Sequence, residues 1–183
     1  MIESVVAAAL VLAQAGGSTA MQARETAYAR MPLADRIVSD PELIKAIVAK
    51  NHVAESMAEI QRIDAEWMRN PHYPLRKTLT SGPCADRLRK LVADDKLVVE
   101  AFLMDERGGL VCATVETSDY WQGDEAKWQK TYRDGAAVFV DEPALDASTG
   151  AFAVQMSRLV SDRGGKVGAL TLTLKIPRST LPR

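Results

Sequence analysis

Apolar residues at Ile44, Ile47, Val48, Met57, Ile60, Ile63 and Trp67 fall mostly three or four apart. That is the period of a helix with one buried face. The spacing predicts one long amphipathic helix from about Pro41 to Met68. Ser39-Asp40-Pro41-Glu42 starts it: Asp40 or Ser39 can cap, Pro41 fits a first turn, and Glu42 suits the positive end. Asn70-Pro71 stops it. The stripe is expected to pack on the domain's sheet, and part of it can form a homodimer seam. Pro71 to Pro83, with three prolines, reads as a connector, and Ser81 to Leu91 as a short helix with Leu88, Leu91 and Val92 on its apolar side.

Further on, the period falls to two. Leu97 to Met104 and Leu110 to Glu116 read as strands around the turn Asp105-Glu106-Arg107-Gly108-Gly109. A helix over Asp124 to Tyr132 follows, then a strand over Ala136 to Val140, broken by Asp141-Glu142-Pro143. Ala151 to Val160 and Val167 to Ile176 form a second hairpin around Ser161-Asp162-Arg163-Gly164-Gly165. Leu170, Leu172 and Leu174 alternate with Thr171, Thr173 and Lys175, which predicts one buried side and one exposed side. The order implies an α+β domain: a five-stranded antiparallel sheet with helices packed on it.

The 183 residues are 47% hydrophobic, enough for one domain with a real core. Basic and acidic residues balance, 23 against 24, which argues against a nucleic-acid partner. Val5 to Ala13 is apolar, and Ala13-Gln14-Ala15 and Ser18-Thr19-Ala20 place small residues where a signal peptidase cuts. Residues 1–20 therefore read as a signal peptide, although Glu3 stands where a Lys or Arg is usual. This implies export, to the periplasm. Residues 21–34 are a linker or helix extension, 35–176 the domain, and 177–183 a polar tail that frays. Cys84 and Cys112 form either a disulfide, if the chain is exported, or two small buried thiols.

Thr117 to Tyr132 holds two of the three tryptophans and two of the four tyrosines. It mixes flat aromatic faces with Asp, Gln and Lys, as a pocket for a small polar ligand requires. An aromatic face can hold an ammonium group for about 0.5–2 kcal/mol. Asp119 or Asp141 can neutralise the same group, and Lys127 or Arg133 can answer a carboxylate. Trp128 and Tyr132 also stand at helical packing distance.

The long helix, the strand ending in Asp105, the glycine turn and Thr117-Ser118-Asp119-Tyr120-Trp121-Gln122-Gly123-Asp124-Glu125 carry a resemblance. With Trp128, Tyr132, the strand Val138-Phe139-Val140-Asp141 and the closing hairpin, they resemble the extracytoplasmic Cache domains, also called PDC or PAS-like sensors. The resemblance spans about Asp35 to Ile176. It implies a PAS-like sheet with a long N-terminal helix alongside, and a pocket between the sheet and the segments joining its second and third strands. It implies a non-catalytic sensor of an amino acid, amine or short carboxylate. Carried over by position, the ligand contacts are Tyr120, Trp121 and Trp128, with Asp119 and Asp141 as acidic anchors. Lacking a transducing domain in this sequence, such a sensor signals through a separate membrane-bound kinase, cyclase or chemoreceptor. Alternatively it docks there through its long helix without a ligand.

No sequence pattern supports catalysis. His52 and His72 have no neighbouring nucleophile motif. With Cys84 and Cys112 they lack metal-site spacing. Neither glycine pair belongs to a phosphate-binding loop, and no cofactor is implied.

Overall fold

The computed structural model describes residues 20–53, 55–146 and 151–176. Apart from Ala20, the segments expected to be a signal peptide, 1–20, and a tail, 177–183, lie outside them. Residues 20–28 form helix α1. Then follow α2 (Met31–Val38), α3 (Pro41–Asn51), α4 (Met57–Arg69), α5 (Pro74–Ser81) and α6 (Pro83–Val92). The strands are β1 (Val98–Met104), β2 (Leu110–Ala113), β3 (Val138–Val140), β4 (Ala144–Asp146), β5 (Ala151–Asp162) and β6 (Gly165–Lys175). Between β2 and β3 lies α7 (Ala126–Trp128), which runs on as a π-helical turn over Gln129–Arg133.

The sheet order is β2-β1-β6-β5-β3, all antiparallel, with β4 also on β5. The five expected strands are present. The sixth, β4, follows Pro143 directly and was too short to read from its period.

The expected single helix over 41–68 is two helices. Asp40 caps α3, accepting the N–H groups of Glu42 and Leu43 at 3.1 and 3.2 Å. A fresh cap forms at Ser56, whose Oγ accepts the Glu59 N–H at 3.2 Å. Ser56-Met57-Ala58-Glu59 has the capping-box spacing, a start signal inside the apolar stripe. The break has a structural use. Leu43 and Ile47 of α3 pack on one face of the sheet, whereas Ile60, Ile63 and Trp67 of α4 pack on the other. A straight rod could not serve both faces. The stripe expected to supply a homodimer seam thus has four of its residues, Ile47, Ile60, Ile63 and Trp67, buried in the core. The proline-rich connector also holds a helix, α5, with Pro74 in its first turn.

Register fixes which residues share a face. Ala101 and Leu103 of β1 lie beside Leu172 and Leu170, and Val154 and Met156 beside Leu174 and Leu172. This leucine face is covered by α1, α2, α3 and α6, through residues such as Ala23, Ala27, Ile37, Ile47 and Leu88. Cys112 of β2 points the same way and is bridged to Cys84 of α6, with Cα atoms 5.9 Å apart. The opposite face carries Phe102, Met104 and Ala169, covered by α4 and by Tyr120. Both expected hairpins form. Asp105 Oδ1 accepts the N–H groups of Arg107 and Gly109 at the first, and Arg163-Gly164, both at positive φ, make the second.

Candidate functional site

The Phe102 face is not fully covered. Towards the start of β1 it carries Glu100, paired with Thr173 of β6, which is paired in turn with Gln155 of β5. Thr173 Oγ1 donates to Glu100 Oε2 at 2.6 Å, and Gln155 Nε2 donates to Thr173 Oγ1 at 3.3 Å. Lys127 Nζ donates to Gln155 Oε1 at 3.3 Å and lies 2.8 Å from Glu125 Oε2. It also stands 5.5 Å from the Phe102 ring centroid. One row deeper, the hydroxyls of Ser157 and Thr171 meet at 2.8 Å, fully buried. The threonine side of β6 is therefore not the exposed side that alternation predicted. Thr171 is buried and Thr173 half-buried, because α7 and the segment before it close over them.

The polar row floors a cleft of about 640 Å³. Its walls are Ser118, the loop Asp141 and Glu142, the strand residues Ala144 and Leu145, and Ala153. The segment 117–125 forms one wall as a strap tied at several points. Asp64 Oδ1 of α4 accepts both the Tyr120 and the Trp121 backbone N–H at 2.9 Å. Trp67 Nε1 donates to Thr117 O at 3.0 Å. Leu110 N–H donates to Tyr120 O at 3.1 Å, and Gln122 N–H to Gly108 O at 2.8 Å. The strap thus runs alongside the first hairpin turn.

Of the five positions assigned to ligand contact, the structure puts Asp141 in the cleft lining. Asp119 is next to the lining residue Ser118, but its carboxylate accepts hydrogen bonds from Ser118 Oγ and Gln122 Nε2. Burial raises its pKa, and Glu125 and Asp64 add to the rise against Ser118 and Lys127. Tyr120 is buried against Trp67, ring centroids 6.1 Å apart, and its hydroxyl reaches Glu55 at 3.3 Å. Burial, with Glu55 and Asp105 nearby, pushes that phenol's pKa upward. The indole N–H of Trp121 donates to Arg107 O at 2.9 Å, and that of Trp128 to Asp105 O at 3.0 Å. Trp128 also stacks on Tyr132 at 5.3 Å. Trp121 and Trp128 fasten the strap and α7 to the hairpin turn, Tyr120 ties the strap to α4, and none of the three is among the residues lining the cleft. Lys127 is in the cleft, and Arg133 pairs with Asp134 at 2.9 Å.

Sequence reasoning missed Glu100, Gln155 and Thr173. The signal was present: polar residues at period-two positions of strands whose other side is aliphatic. For Thr173 alternation predicts a solvent face.

No family model matches the chain, and no curated protein matches it. Solved structures do. The extracellular domain of vpHK1S-Z8, a protein assigned to the histidine kinases, aligns with TM-score 0.51 and 11% identity over 96% of this chain and 60% of its own. The ligand-binding domain of the Pseudomonas aeruginosa amino-acid chemoreceptor PctC, solved with GABA, aligns with TM-score 0.49 and 18% identity over 93% of this chain and 62% of its own. The Escherichia coli DcuS sensor domain gives TM-score 0.49 and 14% identity over 87% and 96%. The chain spans about three fifths of the length of the first two. It has an α+β, PAS-like fold, shared with the extracellular domain of vpHK1S-Z8. No described helix is long and apolar enough to cross a membrane.

Proposed function

We propose that this chain is a non-catalytic sensor module that binds a small polar molecule, an amino acid, amine or short carboxylate, in the cleft over Glu100, Thr173 and Gln155. One observation carries the reading: a hydrogen-bonded polar row on a strand face that is otherwise covered. Placing such groups under a wall of protein is costly unless they are paired, and here they face a cleft of ligand size. The fold supports a sensing role as an analogy. Export through residues 1–20 is part of the proposal, and the Cys84–Cys112 bridge suits an oxidising compartment. The bound state is reported to a separate membrane-bound signalling protein.

The test is a thermal-shift screen of amino acids, amines and short carboxylates. A compound at about 100 Kd stabilises by about 2.7 kcal/mol, a rise on the order of 5–10 °C for a chain of this length. The same compound is expected to lose most of its effect on a Gln155→Leu variant. A screen without a hit, or a hit undiminished in that variant, would refute the assignment.

A further inference from the structure

On the far side of the sheet from the cleft, a groove between α3 and α6 opens onto one sulfur of the bridge. Its volume is about 470 Å³, the size of a small-molecule site, and its lining includes Glu42, Lys45 and Ala46 of α3 and Pro83, Cys84 and Arg87 of α6. Cys84 is half-buried there, whereas Cys112 is 2% exposed in the aliphatic core. We propose that Cys84 is a site of reversible S-thiolation, at which a low-molecular-weight thiol enters this groove and exchanges with the Cys84–Cys112 bridge.

Access decides which sulfur is attacked. Exchange also favours expelling the sulfur whose thiol has the lower pKa. That alone would send the attack to Cys112, because Cys84 stands in the first turn of α6, at its positive end, with Arg87 one turn on. Cys112, however, is closed to an incoming thiol. The step is therefore attack by a thiolate on Cys84 Sγ. A new S–S bond forms to Cys84, the bond to Cys112 breaks, and its electron pair leaves on Cys112 Sγ, which takes up a proton because aliphatic surroundings disfavour a thiolate. The products are a mixed disulfide at Cys84 and a buried thiol at Cys112, and no other reactant is consumed. The reverse attack by Cys112 on Cys84 Sγ expels the small thiol and restores the bridge.

The groove favours the thiolate, which is the reactive form. Arg87 is shared between Asp40 at 2.6 Å and Glu42 at 3.9 Å. Lys45 is exposed and makes no ion pair among the described residues, so its charge is left to draw an anion toward Cys84. The step also unlinks β2 from α6, leaving Arg89 Nη1 on the Thr114 carbonyl at 3.1 Å to hold that edge where the chain enters the strap.

The experiment incubates the whole chain, folded, with excess reduced glutathione. The reaction is stopped with N-ethylmaleimide in denaturant, and peptides are mapped by mass spectrometry. Glutathione is expected on Cys84 and maleimide on Cys112. The rate is expected to fall at least threefold in Lys45→Glu and to stay unchanged in Lys77→Glu, which alters an exposed charge outside the groove. Both changes are on exposed side chains, and melting temperatures check that the variants fold. Glutathione found on Cys112, or on both cysteines equally, overturns the inference. So does a rate that climbs with urea as global unfolding does, or one that Lys45→Glu leaves unchanged.

Discussion

Trp121→Phe separates a fastening residue from a ligand contact. The indole N–H donates to Arg107 O at 2.9 Å, and the residue's backbone N–H is held by Asp64. Phenylalanine keeps most of the ring but removes the donor and leaves the Arg107 carbonyl without it. The hydrogen bond is worth about 1 kcal/mol net, and the lost ring atoms add roughly another 1 kcal/mol. For a chain of this length each kcal/mol lowers the melting temperature by about 2–4 °C, so a drop of about 4–8 °C is expected. Circular-dichroism melting measures it. Calorimetric titration with the tightest compound of the screen is expected to return an affinity within about twofold of the native chain, because the strap's other ties remain. An unchanged melting temperature together with a tenfold loss of affinity would refute the reasoning and return Trp121 to the ligand.

Three further outcomes follow from other parts of the molecule. Burial opposes the charge of Asp40, yet Arg87 and the N–H groups of Leu43 and Glu42 hold its pKa below the ordinary 3.8. That stabilisation is present above the unfolded value and is lost as pH falls through the folded one. Asp40→Asn keeps a cap acceptor, costs about 1 kcal/mol at neutral pH because Arg87 is partly exposed, and flattens the acid limb of a melting-temperature profile. Gly168→Ala puts a Cβ onto the Met104 carbonyl oxygen and 2.9 Å from Ile47 Cγ2, so it should cost about 3 kcal/mol in urea unfolding. Gly165→Ala, whose nearest neighbour is 3.6 Å away, should cost far less. Replacing Cys84 and Cys112 together by alanine opens a link between positions 28 apart, and should lower stability by about 3.5 kcal/mol, read by melting with and without reductant.

The sheet was legible because its signals are local. Glycine turns and alternating strands placed both hairpins within a few residues of where they stand. The helix over 41–68 misled because apolar residues recur three or four apart on both sides of the break. The nine-residue step from Val48 to Met57, about two and a half helical turns, and the cap at Ser56 mark the crossing from one face of the sheet to the other. The aromatic stretch runs beside the cleft, with its indole N–H groups on carbonyls of the first hairpin turn. Whether an indole N–H meets a ligand or a carbonyl depends on the turn at Asp105 and Arg107, more than ten residues earlier in the chain. Thr173 and Gln155 were invisible as a site because alternation shows that two faces differ. It does not show whether the polar face meets water or a wall.

The leucine face and the threonine face of β6 differ in what a substitution there disturbs. Cohesion rests on one, with Leu170, Leu172, Leu174 and the cysteine bridge behind it. The proposed chemistry rests on the other, at half-buried side chains whose replacement leaves the aliphatic core untouched. Exchanging Glu100, Gln155 or Thr173 singly leaves the leucine core alone but strips a hydrogen-bond partner from the rest of the row, so a change of ligand calls for replacing the row together.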